Sequence, residues 1–125
     1  MSSRYGEPLF VISVAARLLK MHPQTLRKYE REGLIAPSRT TGNLRLYSDR
    51  DIERLRQVKY LVEQRGLNLA GVQLALELTR CLREVRTAVE SDGEQSARMD
   101  DAAIAHEMTR VLAMLGFVDE TPASR

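Results

Sequence analysis

The chain has 125 residues, no tryptophan, one cysteine and two histidines, and only 5% of its residues are aromatic. Each scarcity excludes something. The single Cys81 cannot form an intrachain disulfide and does not suggest a stapled secreted framework. Cys81, His22 and His106 lie far apart with no Cys-x-x-Cys spacing, so neither a metal nor another cofactor is expected. Cys81 adjoins Leu82 in a helical pattern; a small buried hydrophobe is its expected role, beside the alternative of a redox-active thiol. Met1-Ser-Ser-Arg-Tyr-Gly-Glu-Pro8 has no apolar run of signal-peptide length, and no segment approaches a membrane span, which points to the cytoplasm and away from a membrane. Phosphate-binding glycine loops, paired catalytic carboxylates and Ser-His-Asp arrangements are missing too, which argues against an enzyme.

What is present is a globular composition, 43% hydrophobic and 29% charged, with a core drawn mainly from Leu, Val, Ile, Ala and Met. The net charge of +2 hides an asymmetry. Residues 1–66 carry 13 Lys/Arg against seven Asp/Glu, whereas residues 67–125 carry six against ten. A basic half joined to an acidic half divides the labour: one part suits a polyanion and the other does something else.

The basic half contains two short helix patterns around a proline-containing turn. The first is Ile12-Ser-Val-Ala-Ala-Arg-Leu-Leu-Lys20, the turn is Met21-His-Pro23, and the second helix covers residues 24–32 before Gly33. At about 100° per residue, Gln24, Arg27, Lys28 and Arg31 share one sector of that helix, while Leu26, Tyr29 and Gly33 lie opposite. Arg and Lys suit phosphates and guanine edges, and Gln suits adenine. Alone, such a stripe is an ordinary solvated face, with Glu30 and Glu32 paired to neighbours. Joined to the preceding helix and to the stretch Arg39-Thr-Thr-Gly-Asn-Leu-Arg-Leu-Tyr47, it reads as a recognition helix with a hairpin wing turning at Gly42-Asn43.

Thr25-Leu-Arg-Lys-Tyr-Glu30, Gly33-Leu-Ile-Ala-Pro37 and Gly42-Asn-Leu-Arg-Leu-Tyr47 resemble the winged helix-turn-helix of the MerR transcription regulators. Within that family, Ile12-Ser-Val-Ala-Ala16, Met21-His-Pro-Gln-Thr-Leu-Arg27 and Gly66-Leu-Asn-Leu-Ala-Gly-Val72 are similar to the heat-shock repressors. Two positions depart: Lys28 stands where many relatives have Tyr, and Leu46 where the repressors often have a second Arg. The resemblance implies a mainly α fold, a winged helix-turn-helix over residues 10–79 after a tail at 1–9. It also implies DNA contacts from Ser13, Arg17, His22, Gln24 and Thr25, from Arg27, Lys28 and Arg31, and from Arg39, Asn43, Arg45 and Tyr47 in the wing. For His22 helix capping is an equal reading, and Asn43 is read alternatively as a turn former only.

Further on, Ser48-Asp-Arg-Asp51 looks like a capping box, opening a helix with the stripe Ile52, Leu55, Val58, Leu61 and Val62. Gly66 stops it and Asn68 caps the next. Leu78, Leu82, Val85 and Val89 step by four and three residues, as in a coiled coil. A loop is expected at residues 91–96 around Gly93, before Ile104, Met108, Val111 and Leu115 repeat the steps up to Gly116; residues 80–116 form this helical segment and 117–125 a tail. Helices this short must bury their seams, either in an intrachain hairpin or against a second subunit as a homodimer.

Three functions remain open. The resemblance implies a dimeric repressor of heat-shock and chaperone genes on an inverted repeat of double-stranded DNA, with the DnaK chaperone as corepressor. A MerR-type activator responding to a small molecule or a redox signal is the alternative. A helical protein-interaction adaptor with incidental basic charge comes from another class.

Overall fold

The structure is a computed structural model that describes the backbone of residues 3–96 and 99–118, and the side chains of 5–90 and 102–118. Nine elements follow in order: α1 (Ser3–Gly6), β1 (Pro8–Val11), α2 (Ile12–Leu19), α3 (Pro23–Arg31), β2 (Ser38–Arg39), β3 (Arg45–Ser48), α4 (Asp49–Glu63), α5 (Leu69–Ser96) and α6 (Met99–Met114). The mainly α architecture with a small winged helix-turn-helix sheet is as the sequence implied. Two compact units divide the chain, residues 1–60 and 61–125.

In the first unit, the sheet order is β1-β3-β2, all antiparallel. Residues 1–9 were expected to be a tail. Instead Pro8 and Leu9 open β1, which pairs Phe10 with Tyr47 and Val11 with Leu46. Pro8 is tolerated there because it begins an edge strand, where no ladder donor is required. Tyr5 ties the preceding turn to α4, its hydroxyl donating to the Glu53 carboxylate and its ring lying 5.2 Å from the Arg50 guanidinium carbon. Ala15, Ala16 and Leu19 of α2, Leu26 and Tyr29 of α3, Tyr47 of β3 and Ile52, Leu55 and Val58 of α4 are buried. The α-helical and strand periods of the sequence thus deliver one core.

Helix ends in this unit are closed by chain chemistry. Lys20 takes the left-handed region at φ 55°, and its N–H and that of Met21 donate to Arg17 and Ala16 carbonyls. At the end of α3, Gly33 adopts φ +81°, and the N–H groups of Gly33 and Leu34 return to Glu30 and Tyr29 carbonyls. Helix α4 completes both ends from its side: Lys59 Nζ donates to the Leu19 carbonyl at 2.9 Å, and Arg54 Nε to the Leu34 carbonyl at 2.6 Å. Lys59 thereby answers a terminal carbonyl that α2 cannot satisfy internally, and Arg54 one in the loop that follows α3. The capping box is reciprocal, with Ser48 N–H donating to Asp51 Oδ2 and Asp51 N–H to Ser48 Oγ.

In the second unit, Asn68 Oδ1 accepts from Gly71 N–H and starts α5. Helices α5 and α6 pack on one another as a hairpin. The loop expected at residues 91–96 is corrected: the backbone remains helical through Ser96. A glycine inside a helix costs only about 1 kcal/mol, which the neighbouring helix formers offset. Along α5 the buried set is Val72, Ala75, Leu76, Thr79 and Arg86, and along α6 it is Leu112. Leu112 is one residue away from the expected Val111. Met108, Val111 and Leu115 are half-buried and Ile104 is exposed. Phe117 closes the hairpin: its N–H donates to the Leu112 carbonyl, and its ring lies 4.3 Å beneath the Arg83 guanidinium carbon.

One apolar face of α5 stays outside. Leu74, Leu78 and Val85 are 58%, 45% and 47% exposed, and Cys81 between them is exposed as well. The expectation of a buried Cys81 is therefore corrected within the single chain. These four side chains share a sector about 60° wide. Leu82 and Val89, the other members of the expected seam, are half-buried.

Candidate nucleic-acid interface

Helix α3 begins because His22 is a competent cap: its Nδ1 accepts from Gln24 N–H at 3.0 Å, and Pro23 fills the first helical position, where no donor is needed. That capping is the structural role read for His22, whose ring remains exposed. Leu26 and Tyr29, 0% and 7% exposed, hold the helix to the core, so its opposite face is necessarily outward. On that face Gln24, Lys28 and Arg31 are exposed and Arg27 is partly so. Arg27 Nη1 donates to Gln24 Oε1 at 3.0 Å. Thr25 is partly buried near the cap, and Ser13 and Arg17 are exposed four residues apart on α2.

Strands β2 and β3 form the wing, with Ser38 opposite Leu46 and Arg39 opposite Arg45. The turn contains Gly42-Asn43, as expected, with Thr41 as its first residue. Asn43 N–H donates to the Thr40 carbonyl, Thr40 N–H to the Leu44 carbonyl, and Leu44 N–H to Thr40 Oγ1. The left-handed residue is Asn43 at φ 67°, not Gly42. This is a three-residue hairpin loop, whose third position requires positive φ and accepts asparagine. A Cβ on Gly42 would meet only Thr40 Oγ1, at an ordinary 3.8 Å.

Three wing residues are placed or engaged otherwise than the sequence suggested. Tyr47 was expected to touch DNA; it is fully buried, its hydroxyl lacks a hydrogen-bond partner, and burial raises its pKa above the ordinary tyrosine value. Alternation along β3 turns Tyr47 inward, opposite Phe10 of β1. Arg39 and Arg45 are exposed and partly exposed, but both are engaged by Glu30 of α3. Arg39 Nη2 donates to Glu30 Oε2 at 2.8 Å, and Arg45 Nε to Glu30 Oε1 at 2.6 Å. Burial alone would raise the Glu30 pKa; the bonds and charges of Arg45 and Arg39 outweigh it and hold the carboxyl below its ordinary range. Glu30 is the residue that sequence reasoning missed. It lies beside Arg27 on the helical wheel and pairs at separations of nine and 15 residues, which no helix periodicity signals.

The arrangement is an outward cationic helix face adjoined by a basic hairpin. A family model for MerR helix-turn-helix regulatory proteins matches residues 10–79. The chain belongs to the MerR family. It is 49% identical over 98 residues to a Streptomyces coelicolor protein named putative heat shock protein HspR, covering 78% of this chain and 63% of that protein. It is 40% identical over 73 residues to the transcriptional regulator GlnR of Bacillus cereus, covering 58% of this chain and 56% of the relative. A third relative, the regulator MlrA of Escherichia coli, is 38% identical over 69 residues, which is 54% of this chain and 28% of that one. The chain therefore spans less than two thirds of the length of these relatives. Within the family's matched region, α3 with its wing is the part of the fold whose shape and charge fit a duplex. Among the described residues no helix is long and apolar enough to cross a membrane, and no group of three metal-ligating side chains gathers.

Proposed function

We propose that this MerR-family chain is a dimeric, non-enzymatic repressor of heat-shock and chaperone genes that acts in the cytoplasm. Each protomer sets α3 in the major groove of one half of an inverted repeat, with the wing against the adjoining backbone. The observation that carries the DNA reading is the outward face of Gln24, Lys28 and Arg31, fixed by burial of Leu26 and Tyr29 behind it. Ser13, Arg17, His22, Thr25 and Arg27 flank that face, while Arg39, Asn43 and Arg45 supply the wing's contacts. The heat-shock assignment is supported by the 49% identity to a relative bearing that name. The second copy meets this one along α5, where Leu74, Leu78 and Val85 are exposed; solvent-facing apolar stripes of this kind mark association sites. Leu82, Val89, Met108, Val111, Leu115 and Ile104 extend or back that seam.

DnaK is the corepressor in this reading, as the likeness to heat-shock repressors implies. Unfolded protein draws the chaperone away and the repressor leaves its operator. Selecting bound fragments from random duplex DNA, with and without DnaK, tests both parts. The expected result is one inverted repeat, enriched more strongly with DnaK. Fragments without two-fold symmetry would contradict the dimer, and indifference to DnaK would remove the corepressor. A redox-responsive activator has one observation in its favour, the exposed Cys81. It requires that Cys81→Ser abolish the response to oxidant in transcription assays.

A further inference from the structure

We propose that Glu30 is a positioning residue for operator recognition: it locks the wing to the recognition helix and withholds Arg39 and Arg45 from indiscriminate phosphate binding. The inference rests on the DNA reading above and deepens it. Arg39 and Arg45 are direct cross-strand partners, and two cations so placed repel each other. The Glu30 carboxylate divides itself between them, one oxygen to each guanidinium at 2.8 and 2.6 Å. The Glu30 and Arg45 side chains are 22% and 25% exposed and that of Arg39 34%, so the pairing is partly shielded and screened less than a fully open surface bridge. Arg39 also donates through Nη1 to the Asn43 carbonyl at 3.3 Å. A continuous polar chain thus runs from α3 through Glu30 and Arg39 to the tip of the wing.

That chain does two things. It sets the distance and angle between the two DNA-contacting elements, so both meet a duplex in only one relative register. It also lowers the charge that the wing offers to arbitrary DNA, because sequence-independent affinity comes from cations that release counterions at phosphates. Glu30 accordingly trades raw affinity for discrimination. Its removal has a signature opposite to the loss of a DNA-contacting cation: random DNA is bound more tightly and the operator is distinguished less.

The test is fluorescence anisotropy on the full chain at several salt concentrations. One duplex is that selected by the wild-type chain from random DNA, and the other is a scrambled duplex of equal composition. For Glu30→Gln the expected results are about threefold to tenfold tighter binding to the scrambled duplex, a salt slope steeper by up to about one, and a selected-to-scrambled ratio about tenfold lower. Glu30→Asp keeps the charge but shortens the reach, so it should keep weak scrambled binding and lose affinity for the selected duplex. Parallel losses on both duplexes at unchanged slope overturn the proposal in favour of simple structural support. Parallel gains with the ratio unchanged overturn it in favour of charge alone. If Glu30→Gln does not fold, Arg39→Gln on the wing decides: it should weaken the selected duplex more than the scrambled one, and equal losses overturn the clamp. Wild-type protein without salt-dependent duplex binding overturns the DNA reading, and the clamp with it.

Discussion

Helices α3 and α5 are both amphipathic, yet they complete their surroundings differently. In α3 the apolar residues Leu26 and Tyr29 are buried, and what remains outside is amide and charge. In α5 one face is buried in its own unit, while a second carries Leu74, Leu78, Cys81 and Val85 into solvent. The first helix is finished within one chain and presents chemistry for a polyanion. The second leaves apolar area that only another surface removes from water. Their charges agree with the contrast, since the basic residues concentrate in the first 66 positions and the acidic ones after them.

The contrast breaks most visibly at the core of the first unit. Leu26→Ala should cost about 2–5 kcal/mol, because a fully buried leucine leaves a cavity. Leu78→Ala, at a site 45% exposed in the single chain, should cost well under half of that in dilute protein. Urea unfolding at low concentration compares them; equal losses would mean that α5 has no free face. Next in size, Leu78→Glu with Val85→Glu should leave helix content unchanged, give monomers in sedimentation, and weaken binding to an inverted repeat about 100-fold or more. Binding to one half-site should change little, since linked half-sites gain through effective concentration. Dimers that persist would place the interface elsewhere.

Smaller effects sharpen the account of the wing. Asn43→Val should cost about 1–2 kcal/mol and lower affinity, because a β-branched residue tolerates the left-handed region poorly. Gly42→Ala should be nearly neutral in the same unfolding assay, as its added carbon meets ordinary space. The reverse order would move the strained position of the turn from Asn43 to Gly42. The smallest effect is one of pH. Glu30 has its pKa lowered on folding, so its contribution is present above the ordinary glutamate value of 4.5 and is lost as pH falls through the lower folded value. Glu30→Gln should therefore lose less stability than wild type between neutral pH and that acid limb, as followed by thermal melts. Parallel curves would show that the bridges to Arg39 and Arg45 contribute nothing to the fold.

Local chemistry made much of this fold legible. The Ser48/Asp51 box, the Asn68 cap, and the stops at Gly33 and Gly116 each depend on residues within a few positions of one another, and each is formed. The recognition face was equally legible, since burial of Leu26 and Tyr29 determines where Lys28 and Arg31 point. Features made by distant pairing were not. Strand β1 is four residues long and exists through β3. Tyr47 follows the alternation of β3 inward despite a hydroxyl that suits a phosphate, and Glu30 reaches across to the wing rather than along its helix. The exposed stripe on α5 is offset from the heptad steps read in the sequence, because its hairpin with α6 takes part of that seam for itself.

The most direct measurement of the central claim is duplex binding by Lys28→Ala combined with Arg31→Ala, titrated against salt on the wild-type-selected inverted repeat. Both side chains are exposed on α3 and lie away from Leu26 and Tyr29, so the fold should be retained. The account predicts a large loss of affinity and a salt slope shallower by about one for each phosphate contact removed, in each half-site. Wild-type affinity with an unchanged slope would contradict it, and α3 would not be the helix that meets DNA.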